Sequence, residues 1–288
     1  MPGSRTPVFR PGLLVVLLAG VVTVGCGPTT AINALSPSGH YTEQAGQAYG
    51  DDPRQQLDLY RPTSVAADAP VVVFFYGNGW REAARADFEF VGSALAEDGI
   101  IVVVPDYRAY PEVSFPAFVE DGAAAVRWAM DNIDGVADGV RPLYLMGHSA
   151  GAHIAAMLSL DPHYLAAVAD PPPPLAGFIG LSGPYDFLPL DEGYLQQVFP
   201  EDTRPQSQPI NFVSAAAPRT LLVHGTDDRR VLAEHSRRLA QRLEAEGVPV
   251  TLHMYDGTGH VRVVAALAPP LQFIADTMDD VVAFIRGD

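Results

Sequence analysis

The sequence G-H-S-A-G at residues 147–151 places a serine where it could act as a nucleophile. Apolar residues precede this motif and a run of small residues follows it, which predicts a strand, a tight turn and a helix. Such a turn strains the serine backbone and holds the hydroxyl of Ser149 clear of the sheet. Side chains at Gly147 or Gly151 would crowd the flanking strand or helix. The alternative is a Gly/Ser-rich turn that merely opens a buried helix.

A serine hydroxyl is a weak nucleophile at neutral pH, so it needs an imidazole to take its proton and a carboxylate to orient that imidazole. Two later apolar runs end beside such groups. The run ending at Val223 is followed by Asp227 and Asp228, and the run ending at Tyr255 is followed by a glycine-rich bend and His260. Serine, aspartate and histidine, each at the carboxyl end of a predicted strand, stand in the chain order of an α/β-hydrolase triad.

We therefore predict Ser149 as nucleophile, His260 as general base and acid, and Asp228 as the orienting carboxylate. Of the 8 histidines, only His260 follows a strand through a glycine-rich bend, as is typical of a mobile base-bearing loop. Its alternative role is that of a solvent-facing loop histidine. Asp227 remains the alternative carboxylate, although the spacing across residues 224–231 favours Asp228.

Backbone N–H groups must stabilise the oxyanion that forms during acyl transfer. One donor is expected from Ala150, the residue after the nucleophile, and the others from the loop after an earlier strand. That loop is Y-G-N-G-W at residues 76–80, whose glycines let the backbone approach a substrate oxygen. The alternative is a plain strand-to-helix turn.

The elements that must position these groups alternate along the chain. Strands are predicted at residues 57–62, 71–76, 100–104, 143–146, 176–181, 219–223 and 250–255, and helices at 86–96, 115–132, 150–160, 232–245 and 270–286. This alternation predicts an α/β fold with a mostly parallel sheet and helices on both faces. Ligands bind such sheets outside the carboxyl ends of the strands. The proline-rich run 184–218 is long enough to form a small cap or loop there.

Composition narrows the classes of partner. The 288 residues carry a net charge of −16 and no lysine, which argues against nucleic acid or another polyanion as a partner. The single cysteine, Cys26, excludes an intramolecular disulfide and a cysteine-based metal site. A serine triad needs no metal and no organic cofactor, so none is expected.

The first 26 residues have the pattern of an export signal. Arg5 and Arg10 precede a short apolar stretch, which ends in T-V-G-C at residues 23–26. That ending resembles a bacterial lipobox, which implies cleavage before Cys26, lipidation of its thiol and an exported protein anchored to a membrane of the cell envelope. The alternatives are an ordinary signal of a secreted protein, in which the cysteine is incidental, and an uncleaved anchor.

The rest of the chain divides into two parts. Residues 27–40 are rich in proline, threonine, serine and glycine and lack periodicity, so we predict a flexible tether. Residues 41–288 are predicted to form a single catalytic domain.

Residues 50–286 resemble the α/β-hydrolase carboxylesterases, in the branch near hormone-sensitive lipases, feruloyl esterases and kynurenine formamidase. The motifs that carry the resemblance are the loop 76–80, which looks like the HGGGW loop of that family, D-Y-R at 106–108, G-H-S-A-G-A-H at 147–153, H-G-T-D-D at 224–228 and G-H at 259–260. The resemblance implies the α/β-hydrolase fold and makes the N–H groups of Asn78 and Gly79 the loop donors. Residues 143–154 also look like the same stretch of prenylcysteine methylesterases.

Two residues depart from the family pattern. Tyr76 stands where the family has a histidine that is usually structural, so the change should be tolerated. Asn78 replaces a glycine, and its side chain should narrow the substrate range near the acyl oxygen.

The expected function is a serine carboxylic-ester hydrolase that acts on short- to medium-chain or aryl esters. Amidase, thioesterase or methylesterase chemistry on the same triad is the alternative. A non-catalytic binding lipoprotein on this scaffold would require a broken triad. Trp80, Tyr107 and Tyr185 follow predicted strand ends and could line an aromatic pocket or belong to the core.

Overall fold

One sheet organises the part of the chain that the structure, a computed structural model, describes: residues 32–33, 39–81, 83–190 and 193–287. Within these ranges the sheet has eight strands in the order β1-β2-β4-β3-β5-β6-β7-β8. The strands are β1 (Tyr41–Ala48), β2 (Gln56–Pro62), β3 (Val71–Phe75), β4 (Ile101–Pro105), β5 (Leu143–His148), β6 (Leu175–Leu181), β7 (Thr220–Gly225) and β8 (Val250–Tyr255). β2 pairs antiparallel with β1 and β4, and the other pairs are parallel. The predicted α/β class is confirmed.

Helices connect the strands on both faces of the sheet. They are α1 (Glu89–Glu97), α2 (Ala117–Asn132), α3 (Ala150–Leu160), α4 (Pro162–Val168), α5 (Leu195–Val198), α6 (Glu234–Ala245), α7 (His260–Ala265) and α8 (Thr277–Arg286). The connection from β3 to β4 runs one way along the sheet, and the later connections run the other way. Right-handed crossovers therefore put α1 on one face and α2, α3 and α6 on the opposite face.

The central strands form the core because their sequences are continuous apolar runs. Every residue of β3 is fully buried, as are most residues of β4 and β5. Strands covered on both faces have such continuous apolar sequences, whereas a half-exposed strand alternates apolar and polar residues. Because β5, β7 and β8 run parallel to one another, their carboxyl ends lie at the same edge of the sheet.

Several elements differ from the prediction. β1 was not predicted, because its sequence is polar and largely exposed and it is held through backbone pairing to β2. The short helices α4 and α7 were missed for lack of a long apolar period. The helix predicted at 86–96 begins as a 3-10 turn, Arg85–Phe88, before α1. The helix predicted at 270–286 is likewise split into a 3-10 turn, Pro269–Ile274, and α8.

The insertion at residues 184–218 contains α5 and short 3-10 turns rather than a long lid. Its described turns are Glu201–Thr203, Pro205–Ser207 and Pro209–Phe212. His153 of α3 holds one of them, since its Nε2–H donates to the carbonyl oxygen of Ser207 at 2.8 Å.

The predicted signal at 1–26, with Cys26, lies outside the described residues. Of the predicted tether, residues 32–33 and 39–40 are described, and they contact the domain: the backbone N–H of His40 donates to Glu97 at 2.9 Å. Among the helices that the structure describes, none is long and apolar enough to cross a membrane.

Candidate active site

Ser149 occupies the turn between β5 and α3. Its φ of 55° and ψ of −123° place a non-glycine residue in a sparsely populated region, as a strained turn requires. The flanking glycines are needed sterically, because a Cβ on Gly147 would lie 2.3 Å from the carbonyl oxygen of Gly151. A Cβ on Gly151 would lie 2.0 Å from the carbonyl oxygen of Phe75. The predicted strand–turn–helix therefore forms around the serine.

The structure brings the three predicted triad residues together. His260 Nε2 lies 2.9 Å from Ser149 Oγ, and His260 Nδ1 lies 2.7 Å from Asp228 Oδ2. All three side chains are buried. With Nδ1–H donating to the carboxylate, Nε2 is left to accept the serine proton, which is the arrangement that activates a hydroxyl.

Asp228 is held as a carboxylate by its surroundings. Burial alone would raise its pKa, but hydrogen bonds from His224 and His260 and from the N–H of Val231 outweigh that effect and hold the pKa well below its ordinary value. The N–H groups of Arg230 and Val231 each donate to Oδ1 at 2.9 Å. An ionised carboxylate at this position favours the imidazolium that forms when the serine gives up its proton.

Asp227, the alternative carboxylate, is not the one that His260 Nδ1 contacts, since that nitrogen lies 2.7 Å from Asp228 Oδ2. Asp227 is exposed, whereas Asp228 is 4% exposed, and the backbone N–H of Asp227 donates to the carbonyl oxygen of Thr258 at 3.0 Å. The structure thus separates two neighbours that the sequence left as alternatives.

His260 begins a helix rather than sitting on a mobile loop. β8 ends at Tyr255, a four-residue bend follows, and His260 is the first residue of α7. The loop after β7, which carries Asp228, packs tightly on this bend, since a Cβ on Gly225 would lie 2.0 Å from the carbonyl oxygen of Thr258. Close packing of the two loops sets the short distance between their functional side chains.

The loop after β3 lies against the nucleophile. Gly77, Asn78 and Gly79 line the same cavity as Ser149, and a Cβ on Gly77 would lie 2.6 Å from the Cβ of Ser149. Ala150 is the first residue of α3, and the first N–H groups of a helix have no acceptor within it. The residues predicted to supply the donors therefore lie next to the serine.

Tyr76 anchors the start of this loop. Its hydroxyl donates to Asp106 Oδ1 at 2.7 Å, and Asp106 also pairs with Arg85 at 2.6 Å. Tyr107 stacks on Tyr76 with ring centroids 5.0 Å apart and donates to its carbonyl oxygen at 2.8 Å. Burial raises the pKa of Tyr76, so its hydroxyl stays a neutral donor.

The aromatic residues predicted for the pocket do not line it, which corrects the prediction. Trp80, Tyr107 and Tyr185 are at most 5% exposed and pack in the core behind the strand ends. The cavity beside Ser149 has a volume of about 320 Å³. Its lining consists of Ile32, Gly77, Asn78, Gly79, Ala83, Asp87, Phe88, Phe90, His148, Ser149, Arg230, His260, Val261, Val264 and Ala265.

Two buried histidines beside the site are held neutral. Trp80 Nε1–H donates to His153 Nδ1 at 3.3 Å, so a proton on that nitrogen would face another donor. Burial lowers the pKa of His153 to about 4. Burial, and then the neighbouring His260, lowers the pKa of His148 to about 3.

These shifts predict a loss of stability in mild acid. An unfolded histidine protonates near pH 6.5, so between about pH 6.5 and pH 4 the unfolded chain binds more protons than the folded one. The free energy of unfolding should therefore decrease as the pH is lowered through this window, by up to about 1.4 kcal/mol per pH unit for each of these two histidines. Urea unfolding at several pH values measures this slope.

Two variants test whether a buried histidine causes the pH dependence of the free energy of unfolding. His153→Gln can still accept from Trp80 and donate to Ser207 but cannot titrate, so its slope should be smaller by about one histidine's share. Ser159→Ala, which removes a hydroxyl that does not titrate, should keep the wild-type slope. A wild-type stability that does not change across this window would show that the buried histidines are not neutral in the fold.

In the part of the chain that the structure describes, no group of three or more histidine, cysteine, aspartate or glutamate side chains is arranged to hold a metal ion. The described site thus consists of the serine, histidine and aspartate relay, the surrounding N–H groups and a largely apolar cavity.

Known proteins share this chain's sequence and fold. The model of the BD-FAE family matches residues 57–243. A probable isoprenylcysteine alpha-carbonyl methylesterase of Arabidopsis thaliana is 30% identical over 264 residues, which are 83% of this chain and 55% of that protein. The kynurenine formamidase of Danio rerio is 28% identical over 227 residues, which cover 76% of this chain and 75% of that protein.

Solved structures agree on the fold. The crystal structure of esterase B from Lactobacillus rhamnosis superimposes with a TM-score of 0.74 at 20% identity, covering 90% of this chain and 92% of that one. This chain spans about half the length of the Arabidopsis relative, 55%. The family match covers most of the sheet and the predicted nucleophile, and the chain therefore belongs to the BD-FAE family and has the α/β-hydrolase fold.

Proposed function

We propose that this protein is a serine carboxylic-ester hydrolase in which Ser149, His260 and Asp228 form the catalytic triad. The observation that carries the proposal is the continuous relay of 2.9 Å and 2.7 Å between these side chains, with Ser149 and His260 in the wall of a largely apolar cavity. The family and the esterase relatives support the same chemistry.

The proposed reaction has two halves. Ser149 Oγ bonds to the ester carbonyl carbon while its proton moves to His260 Nε2, and the C–O bond breaks as that proton passes to the leaving alcohol. Water then attacks the acyl-enzyme, His260 takes the water proton, and the acid leaves as Ser149 regains its hydrogen. The N–H groups of Asn78, Gly79 and Ala150 stabilise the oxyanion in both halves.

The cavity supports short- to medium-chain or aryl acyl groups as substrates. Its volume of about 320 Å³ is walled by apolar side chains such as Phe88, Phe90 and Val264. A p-nitrophenyl ester series should show the highest kcat/KM on short acyl chains and a steep fall for palmitate. Preference for palmitate would contradict the assignment of this cavity as the acyl site.

The second candidate is amide hydrolysis, and the similarity to a kynurenine formamidase favours keeping it. The same relay can protonate a leaving nitrogen instead of an oxygen. Matched ester, thioester and anilide substrates separate these activities through their kcat/KM values. We expect the ester, methyl esters included, to be turned over fastest, and an anilide faster than its matched ester would make the protein an amidase.

The proposed oxyanion donors can be tested at Asn78. Asn78→Pro removes its N–H, and loss of one oxyanion donor costs about 10²–10³ in kcat. Asn78→Gly keeps the N–H, so its loss should be far smaller, and it should accept bulkier acyl groups if the side chain narrows the substrate range. Thermal unfolding of both variants shows whether the loop still folds. Equal losses in the two variants would remove Asn78 from the oxyanion hole.

We also propose that the protein is exported and anchored through lipidation of Cys26, from the pattern of residues 1–26. Ile32, at the substrate cavity, lies six residues after Cys26, a reach of at most about 22 Å for an extended chain. The anchor would therefore hold the cavity near a membrane surface.

Fractionation of a bacterial host tests the anchor. The wild type should take up labelled palmitate and sediment with membranes, and Cys26→Ser should do neither. Release of the wild type into the medium without label would favour the ordinary secretory signal instead.

A further inference from the structure

Ile32 forms part of the wall of the Ser149 cavity, although it precedes the first strand. It is half-buried and packs against the hydrophobic core. Phe88 and Phe90 line the same cavity, so an aliphatic side chain from the N-terminal segment and two aromatic rings enclose one space. A side chain in this position limits what the cavity can hold.

Asn33 fixes Ile32 there through two hydrogen bonds. Its Nδ2 donates to the carbonyl oxygen of Ala86 at 2.6 Å, and its Oδ1 accepts from the N–H of Phe90 at 3.2 Å. Phe90 lies in the first turn of α1, where N–H groups have no acceptor within the helix. The helix's own N-cap residue, Phe88, provides no side-chain cap. Asn33 therefore provides an acceptor for an N–H group at the start of α1, although the two lie far apart in sequence.

The segment to which Asn33 is hydrogen-bonded also supplies part of the cavity wall. Ala86 belongs to the 3-10 turn Arg85–Phe88, and Phe90 to the start of α1. One amide side chain thus ties the N-terminal segment to the backbone that carries Phe88 and Phe90. A change at Asn33 should loosen Ile32 relative to these rings.

Given the proposed ester-hydrolase function, on which this inference rests, we infer that Ile32 is a specificity-determining residue that limits the length of the acyl chain. Asn33 is the positioning residue that holds it. The substrates excluded are esters whose acyl chain would extend through the space that the Ile32 side chain fills.

The test compares Ile32→Ala and Ile32→Trp in the full chain. The measured quantity is the ratio of kcat/KM on p-nitrophenyl laurate to that on the butyrate ester. Ile32→Ala should raise this ratio about tenfold, since one methylene of misfit in an apolar pocket changes discrimination by roughly 10- to 200-fold. Ile32→Trp should lower the ratio. Val140→Ala, a truncation at an exposed residue that does not line the cavity, should leave it unchanged.

A double-variant cycle tests the role of Asn33. Asn33→Ala should shift the ratio in the same direction as Ile32→Ala, and it should add nothing in the Ile32→Ala background if it acts through Ile32. Asn33→Asp keeps the acceptor for Phe90 and should restore part of the wild-type ratio. A residue that only stabilised the fold would lower Tm without moving the ratio.

Failure of the inference can be told from failure of the proposed function. An unchanged ratio in both Ile32 variants, with Ser149 still labelled by a fluorophosphonate, would overturn the role of Ile32 and leave the hydrolase intact. Wild-type protein that neither hydrolyses the butyrate ester nor takes the label would overturn the proposed function, and the inference with it.

Discussion

Ser149→Ala is expected to lower kcat on a p-nitrophenyl ester by about 10⁶-fold, the scale of losing a triad serine. The loss is chemical rather than structural, because alanine keeps the Cβ that already tolerates the positive φ of this turn. His260 and the oxyanion donors remain, but no atom is left to form the acyl-enzyme. Initial rates at saturating substrate measure the effect.

Ser182→Ala is the matched control. Ser182 follows β6, the strand next to β5, is fully buried and has a positive φ of 49°, close to the 55° of Ser149. Both substitutions thus remove a serine Oγ at a residue with positive φ, but only the Oγ of Ser149 lies next to His260. Similar losses in both variants would mean that the effect comes from packing, and the nucleophile would have to be sought elsewhere.

The second large effect separates the two adjacent aspartates. Asp228→Asn should lower kcat by about 10⁴-fold, because an amide cannot stabilise the imidazolium and can hold His260 in the wrong tautomer. Asp227→Asn should change kcat less than about threefold, since the Asp227 side chain is exposed and the carboxylate hydrogen-bonded to His260 is that of Asp228. kcat with both variants on one ester measures the contrast.

The opposite ranking of the aspartate variants would contradict the site geometry. Thermal unfolding should accompany the rates, because the Asp228 carboxylate also accepts from the N–H groups of Arg230 and Val231. An amide at this position keeps one acceptor oxygen. A folded Asp228→Asn with near wild-type kcat would exclude Asp228 from catalysis.

The parts of the fold that sequence could predict are those in which one physical requirement dominates. β3, β4 and β5 are buried on both faces, so they must be continuous apolar runs, and the chain shows them directly. Gly147 and Gly151 are equally determined, because no Cβ fits at either position. The serine and the aspartate followed from their place after the buried strands β5 and β7, and the histidine from its place after the half-buried strand β8.

The cavity could not be predicted in the same way. A residue's place after a strand does not fix the direction of its side chain, and Trp80 turns inward onto His153 instead of facing the cavity. Ile32 lies at the cavity because its neighbour Asn33 is hydrogen-bonded to Phe90, which is distant in sequence, and no local sequence pattern predicts such a contact. β1 pairs with β2 through its backbone, and its polar sequence gives no periodic signal.

The most direct test of the account is intact mass after exposure to a fluorophosphonate, on wild type and on Ser149→Ala. An activated serine in a triad should take one adduct per chain, and the variant should take none. That result would establish Ser149 as the activated nucleophile. Folded wild type without an adduct, or an adduct that persists in Ser149→Ala, would contradict the proposed triad.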